Sequence, residues 1–228
     1  MLTAAIIGAS RGIGLELARQ YADAGWRVHA TTRTPENPGE LGALKGYVRL
    51  HHLDVRNDTH IARLADELSR VAIDVLIHNA GVLGSRGRAG PDETAETMRI
   101  NAEAPIATVS ALLDPLEAGS QKKIAIMSSI QGSGRPRPQS PDLYGDSKGE
   151  LNRRFREVEP DWRRRGITAV ALHPGYVRTD MTGAHASLSP EESVAGIRDV
   201  LEHLGPADAG RFLDYRGRDV AWWIRSTG

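Results

Sequence analysis

The sequence predicts an α/β fold: a doubly wound parallel sheet of about seven strands, with helices on both faces. Three observations point there. Short apolar, β-prone runs alternate with stretches of helical periodicity along the chain, the pattern of βαβ units. The first run, Ala4 to Ile7, meets a glycine-punctuated turn, Gly8-Ala9-Ser10-Arg11-Gly12-Ile13-Gly14, that opens a helix. The long loops, 82–91, 129–141 and 176–189, all follow strands, and open parallel sheets bind ligands beyond the carboxyl ends of their strands.

The elements follow in order. Ile13, Leu17 and Tyr21 recur at helical spacing after the glycine turn, and Trp26 to Thr31 reads as a second strand. Pro35 to Gly46 is rich in Pro and Gly, which predicts a loop with a short or poor helix. Tyr47 to Leu53 is a third strand, and Asn57 or Asp58 can cap a helix carrying Ile61, Leu64 and Leu68. Asp74 to Ile77 is a fourth strand, running into His78-Asn79-Ala80-Gly81. One long helix is expected from about Asp92 to Ala118, because Met98, Ala102, Ile106, Val109, Leu113 and Leu116 share a face. Lys123 to Ser128, Ile167 to Leu172 and Gly210 to Leu213 are the remaining strands, with helices over 143–165 and 190–204. No linker or repeat interrupts 1–228, which predicts a single domain with a short substrate-loop region at about 176–189.

Composition narrows the function. Lys+Arg and Asp+Glu are both 29, which argues against a nucleic-acid or anionic-membrane footprint. The absence of cysteine excludes disulfides, thiolate metal sites and cysteine nucleophiles together. No apolar run approaches the roughly 18 residues of a membrane span, so a cytoplasmic protein is expected. Eight scattered histidines without a carboxylate cluster give no metal site.

The glycine turn carries the first chemical signal. Gly8 permits a sharp turn, Gly12 lets backbone approach a pyrophosphate, and Gly14 lets helix pack closely on strand. Strand, turn and helix together aim backbone N–H groups at a phosphate. The second signal is Tyr144-Gly145-Asp146-Ser147-Lys148, which sets Tyr and Lys on one helix face at i and i+4. A lysine ammonium beside a phenol favours the phenolate, and a serine from Ser128-Ser129 could hold a substrate oxygen. That set suits proton transfer at a carbonyl oxygen. Either motif alone is also found as an ordinary turn or a surface pair.

Joined, the motifs resemble the short-chain dehydrogenase/reductase family, compact single-domain branch. The matching residues are GASRGIG at 8–14, LDV at 53–55, HNAG at 78–81, Asn101, SS at 128–129, YxxSK at 144–148 and PGYVRT at 174–179. The tail from Pro190 resembles the carbonyl-reductase-like branch that includes the C-factor proteins. The resemblance implies a Rossmann fold and hydride transfer between a nicotinamide cofactor and a carbonyl or alcohol. It assigns Tyr144 as acid/base, Lys148 to lower its pKa and hold the nicotinamide ribose, and Ser129 to orient the substrate carbonyl. Asn101 would anchor a water linking Lys148 to solvent. Cofactor contacts would come from Gly8, Ser10, Arg11, Gly12, Ile13, Gly14, Arg33, Asp54, Val55, Asn79, Ala80 and Gly81, and from Tyr144, Lys148, Pro174, Gly175, Val177 and Thr179.

At the end of the second strand, where an NAD site places an acid, stands uncharged Thr32, followed by Arg33; Arg11 sits in the glycine turn. Two guanidinium groups suit a 2′-phosphate, which favours NADP(H) over NAD(H). The 129–144 loop is a couple of residues longer than is usual in the family and holds Arg135 and Arg137; Asp146 replaces a common alanine and His78 a frequent asparagine. In the 143–165 helix, Leu151, Phe155, Val158 and Trp162 form one narrow apolar stripe among arginines and glutamates, so a monomer or weak homodimer is expected. Met181, Trp222 and Trp223 could line the substrate pocket, though each reads more simply as plain packing. The competing readings are a non-catalytic NAD(P)-binding regulatory or signalling protein, and an epimerase or dehydratase of the extended branch. The retained Tyr144, Lys148, Ser129 and Asn101 weigh against the first, and the short chain weighs against the second.

Overall fold

The computed structural model describes residues 1–85, 89–133 and 142–222. Arg135, Arg137 and Trp223, singled out above, lie outside the described residues. Strands β1 (Thr3–Ile7), β2 (Arg27–Thr32), β3 (Tyr47–His52), β4 (Val75–His78), β5 (Lys123–Met127), β6 (Thr168–His173) and β7 (Phe212–Asp214) form one sheet. Its order is β3-β2-β1-β4-β5-β6-β7, and every neighbouring pair is parallel. The chain runs outward from β1 to β3, then crosses back to β4. The order therefore reverses between β1 and β4, which is where such sheets bind ligands.

Between the strands lie α1 (Gly12–Asp23), α2 (Asp58–Leu68), α3 (Pro91–Met98), α4 (Ala104–Ala111), α5 (Leu113–Glu117), α6 (Leu143–Arg164) and α7 (Pro190–His203). Alternation along β1 splits the core in two. Ala4 and Ile6 join Leu17 of α1 and Val194, Ile197 and Leu201 of α7 on one face. Ala5 and Ile7 join Leu64 of α2, Val109 of α4, and Leu151, Phe155 and Trp162 of α6 on the other. The apolar stripe of α6 is thus spent on its own sheet, while Arg153 pairs with Glu150 and Glu157 on the outside. Asn57 caps α2, accepting from the backbone N–H of Thr59 at 2.9 Å. The Pro/Gly segment before β3 holds a single 3₁₀ turn, Gly39–Ala43.

The single helix expected over 92–118 is corrected. It is broken into α3, a π-helical turn at Arg99–Glu103, α4 and α5. Pro105 lacks the N–H that an α-helix would direct at the Asn101 carbonyl, and Ala104 instead donates to the carbonyl of Arg99. The apolar periodicity runs straight through the break, which is why spacing alone conceals it.

Candidate active and cofactor site

Two clefts open at the carboxyl ends of the central strands, and Met181 lines both. The first runs from Arg33, Asp54, Val55 and Arg56, past the turn Gly8-Ser10-Arg11-Gly12-Ile13 and Asn79-Ala80-Gly81, to Thr179 and Asp180. The second is lined by Ser129, Ile130, Leu143, Tyr144, His173, Pro174, Gly175 and Tyr176, among others.

Close approach explains the glycines of the first cleft. Gly8 has φ +84°, and a Cβ there would lie 2.7 Å from the Ala80 Cα. A Cβ on Gly14 would lie 2.0 Å from the Gly8 carbonyl oxygen, so strand, turn and helix touch through bare backbone. The turn is tied to β2 by Gly8 N–H donating to Thr31 Oγ1 at 2.9 Å, and to β4 by Asn79 Nδ2 donating to the Gly8 carbonyl at 2.9 Å. Side chains of Asn57, Asp142 and Ser189 cap α2, α6 and α7, whereas α1 has no side-chain cap and no acid in its first turn. Its leading N–H groups thus face the cleft ready for an anion.

The far end of this cleft is charged. Arg56 grips the Asp54 carboxylate in a fork, with Nε to Oδ1 at 2.9 Å and Nη2 to Oδ2 at 2.6 Å, and reaches Glu96 at 2.6 Å. That grip holds the Asp54 pKa down at about 2, helped by the charge of Arg33. Arg11 Nη1 lies 2.9 Å from Asp180 Oδ2. The cradle fits a dinucleotide: bare glycine backbone, an uncapped helix start, and arginines near the ribose end.

Asn101 is fully buried in the π turn and bonds both backbone groups of Val82. Its Nδ2 also donates to Ser147 Oγ at 2.9 Å, and that hydroxyl donates to the Tyr144 carbonyl at 2.8 Å. Lys148, 4 % exposed, donates from Nζ to the Met127 carbonyl at 2.9 Å, and burial pushes its pKa down to about 8. Burial raises the Tyr144 phenol, the Ser129 hydroxyl draws it back down, and Asp142 raises it further. The causes that shift the phenol in this arrangement are thus its burial, Ser129 and Asp142. The ammonium is turned to Met127, with Nζ 5.8 Å from the ring centroid of Tyr144.

Some expected residues sit beside the clefts rather than in them. Gly14, Asn101, Lys148 and Val177 do not line either one; Val177 is buried and its carbonyl accepts from Thr182. The sequence assigns no role to Thr31, Arg56 or Ser147. Thr31 precedes Thr32, the position that bears on cofactor choice, Arg56 follows the LDV motif by one residue, and Ser147 lies between Tyr144 and Lys148, so only their bonds reveal them. His78 ends β4 with neither ring nitrogen partnered among the described residues; burial and then the Lys148 charge push its pKa down to about 3. Among the described residues no His, Asp or Glu cluster could hold a metal, and no helix is long and apolar enough to cross a membrane.

The sequence profile described as short chain dehydrogenase matches residues 2–188. C-signal of Myxococcus xanthus is 39 % identical over 154 residues, covering 66 % of this chain and 93 % of the relative. A short-chain dehydrogenase/reductase of Burkholderia multivorans, solved with bound NADP, superposes with a TM-score of 0.85 at 34 % identity, covering 97 % of this chain and 99 % of the other. The carbonyl reductase Sniffer of D. melanogaster superposes with a TM-score of 0.90 at 28 % identity, covering 97 % and 100 %.

Proposed function

The chain belongs to the short-chain dehydrogenase/reductase family, and from that premise we propose that it is an NADP(H)-dependent oxidoreductase interconverting a carbonyl and an alcohol, with Tyr144 as the acid/base. The observation that carries this reading is the second cleft. There the Tyr144 phenol and Ser129 hydroxyl stand together, Lys148 is buried nearby, and Met181 joins the cleft to the glycine cradle.

When bound, the nicotinamide group supplies the hydride. The chain's part is to bind, orient and move a proton. Arg33 and Arg11 would hold the 2′-phosphate, the N-terminus of α1 the pyrophosphate, Asp54 and Val55 the adenine side, and Thr179, Pro174 and Gly175 the nicotinamide side. Ser129 orients the substrate oxygen, and Tyr144 Oη gives it a proton in reduction or takes one in oxidation. Lys148, freed from Met127, would favour the phenolate and hold the ribose. Asn101 fixes the turn that faces Lys148 across Gly81. The NADP in the Burkholderia relative and the carbonyl reductase activity named for Sniffer support the same reading. The test is binding and turnover together: NADPH should bind more tightly than NADH and be oxidised with aldehydes, ketones or diketones. Tighter NADH binding would overturn the cofactor assignment.

C-signal, by its name a signal, favours a second reading as a non-catalytic NAD(P)-binding regulator. Tight NADPH binding without turnover on any carbonyl would favour it. The proposal extends to a cytoplasmic, single-domain protein, and to a monomer or weak homodimer because α6 spends its apolar stripe internally. A dimer that persists at high salt in light scattering would contradict the oligomeric part.

A further inference from the structure

We infer that Asp180 is a specificity-determining residue: it competes with the cofactor's 2′-phosphate for the Arg11 guanidinium. The inference rests on the NADP(H) reading above. Three arginines rim the first cleft. Arg56 is committed to Asp54 and Glu96. Arg33 has no carboxylate within salt-bridge distance among the described residues, and its charge falls on the same end of the cleft as Asp54. Arg11 is the one whose partner comes from across the cleft, 169 residues along the chain, at 2.9 Å.

Geometry makes that pair a closed contact over the cleft. Gly12, next to Arg11, has φ +55°, and a Cβ there would lie 3.1 Å from Thr179 Cγ2, next to Asp180. The glycine turn and the segment after β6 therefore touch, and the ion pair crosses the same seam. Both members line the cleft, and both are open to water, at 72 % and 74 % side-chain exposure. An exposed pair is weak and exchanges readily. A phosphate dianion offers Arg11 more charge and more acceptor oxygens than one carboxylate, so it wins the guanidinium but must first displace Asp180. A cofactor without the 2′-phosphate has no such contest. Asp180 thus lowers NADP(H) affinity selectively and leaves NAD(H) affinity alone.

The probes are 2′,5′-ADP and 5′-AMP, titrated calorimetrically into wild type, Asp180→Asn, Asp180→Glu, Arg11→Ala and the Arg11→Ala/Asp180→Asn double variant. Asp180→Asn should tighten 2′,5′-ADP by about two- to five-fold, the scale of one exposed ion pair, and leave 5′-AMP unchanged. Asp180→Glu, which keeps the carboxylate, should resemble wild type. In the Arg11→Ala background the Asn substitution should have no effect, because the contest is for Arg11. Unchanged 2′,5′-ADP affinity in Asp180→Asn overturns the inference. So does an equal gain without Arg11, which would mean direct repulsion of the phosphate. A wild type that binds 2′,5′-ADP no tighter than 5′-AMP overturns the NADP(H) reading itself, and the inference with it.

Discussion

Asn101 holds both backbone groups of Val82: its Oδ1 accepts the Val82 N–H at 2.8 Å and its Nδ2 donates to the Val82 carbonyl at 2.7 Å. This one side chain ties the π turn to the loop leaving β4, and through Ser147 it reaches the helix that carries Tyr144. Asn101→Ala strands buried donors and acceptors, at a cost of about 1–3 kcal/mol for each unsatisfied group. The urea midpoint should fall and turnover should drop beyond what the lost stability explains. A variant with wild-type midpoint and rate would contradict this role.

Gly14 tests the close approach of turn and helix. A Cβ there meets the Gly8 carbonyl oxygen at 2.0 Å and Asn79 Nδ2 at 2.7 Å. Gly14→Ala should cost about 3 kcal/mol and abolish cofactor binding. Gly205→Ala faces open space at φ −126° and should leave the thermal midpoint unchanged. Equal midpoints for the two variants would refute the crowding argument.

How much of this was legible in sequence depends on whether the cause was local. The seven strands and the glycine turn were readable because apolar runs and glycine spacing record their own reason. The break at Arg99–Glu103 was not, because Met98, Ala102, Ile106 and Val109 keep helical spacing across it. Pro105 was the available signal, and the partners that fix the break, Val82 and Ser147, are distant in sequence. The long-range carboxylate partners, Asp180 of Arg11 and Glu96 of Arg56, were hidden for the same reason: they come from other loops and helices. Lys148 shows the limit of motif reasoning. Spacing puts it beside Tyr144, but only the fold turns its ammonium to Met127.

His78 makes stability depend on acid. Its folded pKa is about 3, below the ordinary value of 6.5, so between those values protons bind the unfolded chain more than the folded one. This contribution is fully present above pH 6.5 and is lost as pH falls towards 3. At about pH 5 the loss from this ring is about 2 kcal/mol. His78→Leu removes both the titration and two buried nitrogens that have no partner among the described residues, so its unfolding free energy should fall less between neutral pH and about pH 5. Identical pH dependence in wild type and variant would rule this out.

If Lys148 serves the proposed reaction as an ammonium, activity has an alkaline limit. Burial brings its pKa from 10.5 to about 8 in the free protein, so the ammonium is lost as pH rises through that value. The logarithm of kcat/KM for NADPH should fall above about pH 8, because kcat/KM reports ionisations of the free enzyme. Lys148→Met should bind NADPH more weakly and lose this limb. A wild-type profile that stays flat well into the alkaline range would contradict the assignment.

The most direct test of the central claim is Tyr144→Phe, measured for NADPH oxidation with aldehydes, ketones and diketones and, separately, for NADPH binding by fluorescence. The variant keeps the half-buried ring and removes only the hydroxyl that would carry the proton. Turnover should fall by about two to four orders of magnitude while NADPH affinity stays near wild type. A Tyr144→Phe protein that turns over at the wild-type rate would show that the proton moves through another group.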